Sequence, residues 1–240
     1  MMENISIEQK MRFFGTNSTN VKNKYNIFIG ISISNKKMNF KIASDYINWA
    51  IKNTKEKVAV IIADELNIVN YRLLDGYSTG KAQNRAKTVG NNIENIFRTE
   101  IQKLPEKQQQ KIHIYKWSDV KKDLNYQKLF ESLQNEINNN TELRTAAFYF
   151  IKKYIHKRGK IITDEKIINE LATYIIGELP TLLQGIYINK DYYQLCVYPT
   201  YFSSGMSQFV MDIHGKELLV SDKIYKLIKT KAILVECWLD

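Results

Sequence analysis

Apolar positions along the chain recur with two different periods. Lys57 to Ala63 is a continuous β-branched run closed by Asp64, as in a strand buried on both faces of a parallel sheet. Asn26 to Ile33, Lys111 to Trp117, Tyr192 to Tyr198 and Ala232 to Cys237 are further strand-like runs. Between them the period becomes helical. Ile42, Tyr46, Ile47, Trp49 and Ala50 form an apolar face from about Phe40 to Lys52, and a long helix is expected from about Thr79 to Lys103, stopped by Pro105. From about Tyr126 to Leu183 the pattern is helical, interrupted at an Asn-Asn-Asn-Thr run and at Gly159, with Thr163 the expected N-cap of the last segment. Alternating strands and helices predict an α/β sandwich on a mostly parallel sheet. Residues 1–24 are polar and read as a flexible N-terminal segment, leaving 25–240 as a single domain.

Composition narrows the class. With 44% hydrophobic residues the chain can bury a core, so global disorder is excluded. Thirty-five Lys and Arg against 25 Asp and Glu give a net charge of +10, which favours a polyanionic partner, although a lysine-rich proteome bias gives the same balance. No signal-like segment or membrane-length apolar run occurs, so a cytoplasmic protein with no membrane partner is expected. Cys196 and Cys237 stand far apart with no CxxC, which suggests buried, reduced thiols and neither a metal site nor a disulfide.

Candidate chemistry gathers at the ends of the predicted strands, where an α/β sheet binds ligands. Gly30-Ile31-Ser32 ends the first strand. A glycine there lets a substrate approach the backbone, and the serine could act as nucleophile or donor; a polar turn in which a serine or Asn35 caps the next helix is the alternative. Tyr174 and Glu178 lie four apart on one helix face and could hold an ammonium or move a proton, or could be an exposed glutamate beside a surface tyrosine. Pro180 should kink or restart that helix. Tyr198, before Pro199, ends a later strand on the same rim, or is a core tyrosine. Lys81, Arg85, Lys87 and Arg98 on the long helix could grip phosphates or form a solvated cationic face. A second basic cluster spans Lys152 to Lys160.

Several familiar motifs are absent. Gly76 to Lys81 lacks P-loop spacing, and there is no GxGxxG, GxSxG or HExxH. His113, His156 and His214 stand in unrelated contexts, so a serine nucleophile would need another proton partner or an already activated acyl donor.

The Gly-x-Ser at the end of the first strand, the Tyr-x-x-x-Glu on a late helix and the tyrosine ending the following strand together resemble the cyclodipeptide synthases, across about Tyr25 to Tyr198. The resemblance implies a Rossmann-like domain similar to that of class I tyrosyl- and tryptophanyl-tRNA synthetases. It implies no cofactor, two aminoacyl-tRNAs as substrates, no obligate protein partner, and a ping-pong route through an aminoacyl-serine and a dipeptidyl enzyme to a diketopiperazine. By position, Ser32 would be acylated, Tyr174 and Glu178 would hold the ammonium, with Glu178 also accepting a proton from the amine, and Tyr198 would position the acyl-enzyme and relay a proton. Gly30, Phe28, Trp117 and Cys196 would line the first amino-acid pocket, with Asn35 and Tyr126 as further substrate contacts. Lys81, Arg85, Lys87 and Arg98 would meet tRNA. Asn35 resembles one subfamily and Pro199 the other. A non-catalytic, basic RNA-binding α/β module is the competing reading.

Overall fold

Val58–Ala63 is buried at every position, which requires a neighbouring strand on each side and helices over both faces. The structure, a computed structural model, describes residues 7–35, 37–200 and 205–238. Its strands are β1 (Met11–Phe14), β2 (Ile27–Ser32), β3 (Val58–Ala63), β4 (Ile112–Lys116), β5 (Ile186–Ile188), β6 (Asp191–Tyr193), β7 (Leu195–Thr200) and β8 (Ile233–Trp238). The helices are α1 (Ser18–Val21), α2 (Phe40–Asn53), α3 (Ile68–Leu73), α4 (Thr79–Gln102), α5 (Glu106–Gln109), α6 (Trp117–Val120), α7 (Leu124–Asn139), α8 (Thr141–Lys157), α9 (Glu165–Gln184), α10 (Met206–Gly215) and α11 (Asp222–Leu227).

Six strands form one sheet in the order β1-β8-β7-β2-β3-β4. All its pairings are parallel except β1 with β8. After the edge strand β1 the chain enters the middle at β2, moves outward through β3 and β4, then returns to the other side of β2 as β7 and β8, as in a Rossmann-like sheet. Side chains alternate across the sheet, giving two cores. Ile27, Ile29 and Ile31 face α2 and α4, where Tyr46, Ile47, Ala86 and Phe97 are buried. Phe28, Ala59, Ile61 and Leu234 face the opposite layer, with Leu129, Leu171 and Phe209 from α7, α9 and α10.

Four expectations need correction. Within residues 1–24, of which 1–6 lie outside the described residues, Met11–Phe14 is a strand that covers the edge of β8. Its register is set by pairing with a partner more than 200 residues away, which local periodicity does not carry. Tyr192 to Tyr198 is two strands, because β5 and β6 close a separate hairpin through Asn189 and Lys190, both at positive φ (51° and 72°), a type I′ geometry. The N-cap of α9 is Asp164, whose carboxylate accepts the Lys166 N–H at 2.8 Å, and not Thr163. Finally, α9 does not restart at Pro180, which lies inside one helix from Glu165 to Gln184. Hydroxyls serve the carbonyls beside the proline: Tyr126 donates to Gly177 O at 3.0 Å and Thr181 to Glu178 O at 2.8 Å. No helix among the described residues is long and apolar enough to cross a membrane.

The seating of α4 depends on Gly90. A Cβ there would lie 2.9 Å from Cβ of Asp64, an atom bonded directly to the main chain at the end of β3. Overpacking costs about 1–3 kcal/mol, against about 1 kcal/mol gained in helix propensity. Gly90→Ala is therefore expected to lose stability, seen as a lower denaturation midpoint at unchanged m-value.

Candidate active site

The β2–β7 ladder ends early. Its last pair is Ile29 with Val197, whereas β2 stays paired with β3 as far as Ser32 and Ala63. Gly30, Ile31 and Ser32 therefore have a neighbour on one side only, at the point where the strand order reverses. Pro199 belongs to β7 past this ladder, paired only towards β8, where its missing N–H leaves no gap towards β2. A cavity of about 450 Å³ opens there, with Ser32, Asn35, Tyr174, Glu178, Tyr198 and Pro199 in its wall.

The stretch after β2 is a turn, closed by the Asn35 N–H on the Ser32 carbonyl at 3.1 Å. Asn39, through its bond from the Ile42 N–H at 3.0 Å, caps α2. The serines and Asn35 are thus left to face the cavity rather than cap a helix. Ser32 Oγ lies 2.8 Å from Ser34 Oγ and 3.3 Å from the Tyr174 hydroxyl. The Tyr174 hydroxyl donates to Glu178 Oε1 at 2.9 Å. A phenol has one proton, so with that proton on Glu178 the Tyr174 oxygen can only accept from Ser32. The result is a directed chain from Ser32 through Tyr174 to Glu178.

Glu178 is 5% exposed, and among the described residues no cation pairs with its carboxylate. Burial pushes its pKa up to about 7, partly offset by the Tyr174 hydrogen bond. Burial and the adjacent carboxylate hold the phenols of Tyr174 and Tyr198 well above their ordinary range, so both remain donors. The Cys196 thiol is likewise pushed up by burial. Such a carboxylate suits an incoming ammonium, which would supply the missing counter-charge.

Phe28, Gly30, Trp117 and Cys196 line a second, smaller cavity that shares Glu178 and Tyr198 with the first. Tyr126 is placed elsewhere. It lines a groove on the far side of Trp117, with its hydroxyl committed to Gly177 O. The basic residues also separate. Lys81, Arg85 and Lys87 are exposed on the first half of α4, with Lys81 Nζ 4.3 Å from the centre of the Tyr77 ring. Arg98 lies seventeen residues along from Lys81, about 25 Å, and its Nε donates to Glu94 at 2.8 Å. None of the three histidines lines either cavity.

Sequence reasoning missed Tyr154, whose ring stacks on Tyr174 with centres 6.2 Å apart and planes at 5°. Arg158, one turn further along, lines the cavity and pairs with Asp75 at 3.2 Å. Tyr71 lies beside both Arg158 and Arg85, linking the cavity mouth to the basic half of α4. The four-residue spacing of Tyr154 and Arg158 was the available signal, concealed within a cationic helix end.

The chain matches the cyclodipeptide synthase family model over residues 12–212. It belongs to the cyclodipeptide synthase family. Its fold is shared by a cyclodipeptide synthase from Bacillus thermoamylovorans, at 19% identity and TM-score 0.74, covering 98% of each chain. A Mycobacterium tuberculosis protein, at 16% identity and TM-score 0.70 over 99% of each chain, was described as demonstrating that cyclodipeptide synthetases are related to type I tRNA synthetases. A third similar structure, from Candidatus Glomeribacter gigasporarum, is a cyclodipeptide synthase bound to Phe-tRNAPhe, at 18% identity and TM-score 0.51 over 93% of this chain and 92% of that one. No curated protein matches.

The raised Glu178 pKa has a consequence for this synthase-family fold. An unfolded glutamate titrates at about 4.3. Between that value and about 7 the folded state holds the extra proton, so stability falls as pH rises across this window and is flat above it. Glu178→Gln should make the slope shallower, leaving the part due to the buried Glu236, whose pKa burial also raises, and exceed the parent in stability above pH 7 by on the order of 3 kcal/mol, measured by denaturation at pH 5 and pH 8.

Proposed function

We propose that this chain makes diketopiperazines from two aminoacyl-tRNAs through covalent attachment to Ser32. The observation that carries the reading is Glu178: a buried carboxylate, without a protein cation among the described residues, joined through Tyr174 to Ser32 at an open strand end. An aminoacyl ester fits these groups, with its ammonium on Glu178 and its carbonyl carbon at Ser32 Oγ.

In the first step Ser32 Oγ bonds to the ester carbonyl carbon. The bond to the ribose 3′-oxygen breaks and that oxygen takes up the serine proton. The ester is already an activated acyl donor held in place, so the step needs no histidine. Glu178 then takes a proton from the ammonium, and the freed amine attacks the carbonyl of the second aminoacyl-tRNA. A peptide bond forms as the attacking nitrogen's proton passes to the departing ribose 3′-oxygen, and the second tRNA leaves, giving a dipeptidyl-serine, while Glu178 returns its proton to solvent through the cavity. Finally Glu178 takes a proton from the terminal ammonium, and the amine so freed attacks the serine ester carbonyl, closing the ring as the Ser32 oxygen leaves as an alcohol. Tyr198, kept protonated, gives its proton to that departing oxygen and takes up the one released by the attacking nitrogen.

Lys81, Arg85 and Lys87 are assigned to tRNA phosphates, reached from the cavity along Arg158 and Tyr71. Replacing Lys81 and Arg85 with glutamine should reduce the steepness of log affinity against log salt by about one per residue. Arg98→Gln should change it less, because Glu94 already holds that guanidinium. Filter binding over a salt series reads both.

Mass spectrometry of cultures expressing the chain and its Ser32→Ala variant tests the chemistry. A diketopiperazine mass is expected from the first and at least a hundredfold less from the second. A soluble parent that binds tRNA yet yields no product with any aminoacyl-tRNA would instead support the RNA-binding module.

A further inference from the structure

The smaller cavity behind Ser32 measures about 20 Å³. One water-sized group needs about 10–15 Å³ of such space, so the cavity accepts only the one or two methyl groups at the tip of an aliphatic side chain, whose first carbons stay in the neck shared with the larger cavity, and no six-membered ring. Its wall is apolar, formed by Phe28, Gly30, Ile61, Ala63, Trp117 and Leu182. Of the polar groups at its edge, the Thr181 hydroxyl donates to the Glu178 carbonyl, the Tyr198 phenol is held protonated, and the Glu178 carboxylate, besides its bond from Tyr174, is the seat of the substrate ammonium in the reading above. A charged side chain there would be buried without a partner.

Trp117 sets the limit. It also lines the much larger groove, about 760 Å³, on the side of Tyr126, Phe130 and Gly177. The indole stands edge-on to Tyr126, with ring centres 6.1 Å apart and planes at 81°. It is the partition between a small pocket and a large empty space.

We infer that the first aminoacyl group carries an aliphatic side chain of at most four carbons, and that Trp117 is the residue that excludes aromatic ones. This rests on the acyl-serine reading above. With the ammonium on Glu178 and the carbonyl carbon on Ser32, the side chain leaves towards Gly30, past the two residues that both cavities share, Glu178 and Tyr198. Discrimination by such a pocket amounts to about tenfold or more per misfit group.

Purified protein is mixed with one aminoacyl-tRNA at a time, across all twenty amino acids, and the quenched protein is weighed intact. The rate of the aminoacyl adduct is followed, with Ser32→Ala as the blank. Alanyl, valyl, leucyl or isoleucyl adducts should form at least about ten times faster than phenylalanyl, tyrosyl or tryptophanyl ones. Trp117→Leu should raise the aromatic rates at least tenfold. Gly30→Ala, whose added Cβ would meet the Tyr198 ring at an ordinary 3.5 Å, should narrow the pocket and shift the ranking towards alanine. Equal rates for aromatic and aliphatic donors in the parent would overturn the size limit. An unchanged ranking in a folded Trp117→Leu protein would remove Trp117 from the account; if that variant does not fold, the parent and Gly30→Ala rankings decide. No adduct from any donor would sink the acyl-serine reading itself, an outcome distinct from a wrong ranking.

Discussion

The site exists because two adjacent parallel strands stop pairing at different heights. β7 leaves β2 after Val197 and Ile29, while β3 supports β2 for three more residues. Gly30, Ile31 and Ser32 thus sit on rigid backbone that lacks a neighbour on one side. A functional group on a strand is held more firmly than one on a loop, and a gap at the topological switch point gives a ligand access to it. Because side chains alternate, Phe28, Gly30 and Ser32 share the face towards α9, and Ile27, Ile29 and Ile31 hold the other face against α2 and α4. A shift of one residue in β2 would present isoleucines to the cavity and bury the serine.

The second requirement is a helix that can carry a carboxylate into the core at that height. In α9 every residue from Ile175 to Gln184 is buried, so Glu178 is carried into the core and meets the outside through the cavity. Its location is tolerated because Tyr174 sits one turn earlier and donates to it. Tyr174 is in turn backed by the parallel ring of Tyr154. The hydroxyls of Tyr126 and Thr181 act on the same turn, donating to the Gly177 and Glu178 carbonyls, next to the Ile176 carbonyl whose ladder partner Pro180 removes. Tyr126 therefore supports the helix segment that bears Glu178, and a substrate would reach its hydroxyl only by taking it from Gly177.

Much of this was legible in order along the chain. The parallel sheet followed from runs such as Val58–Ala63, and α2 and α4 from their 3.6-residue stripes, because burial on two faces or on one face leaves a direct mark on composition. The set of Ser32, Tyr174, Glu178 and Tyr198 was recognisable as a family pattern, and the fold gathers all four around one cavity. What was not legible depends on distant pairing or on hydrogen bonds. β1 exists only against β8, and β6 separates from β7 only because β5 returns to it through two positive-φ residues. Nothing in the local pattern near Pro180 says that the hydroxyls of Tyr126 and Thr181 will donate to carbonyls of that turn. The setting of the basic stripe is a further case: Arg98 follows Glu94 on one helix face in the sequence, but only the structure shows Glu94 engaging it while Lys116 also reaches that glutamate, at 3.0 Å.

The absence of a histidine from the cavity is consistent with the rest of the geometry. A serine protease-like site must cleave an amide, and it invests in a base poised near neutrality. Here the groups around Ser32 are phenols held protonated and a carboxylate that changes charge near pH 7. That set is poorly suited to stripping a proton from an alcohol against a stable amide. It is well suited to an activated ester whose own leaving oxygen takes the proton, after which the slower demand is to convert an ammonium into an amine. A carboxylate with a pKa of about 7 can bind an ammonium as an anion and accept a proton with little driving-force penalty, so in the proposed reaction one buried residue would serve both substrate binding and the proton transfer that follows.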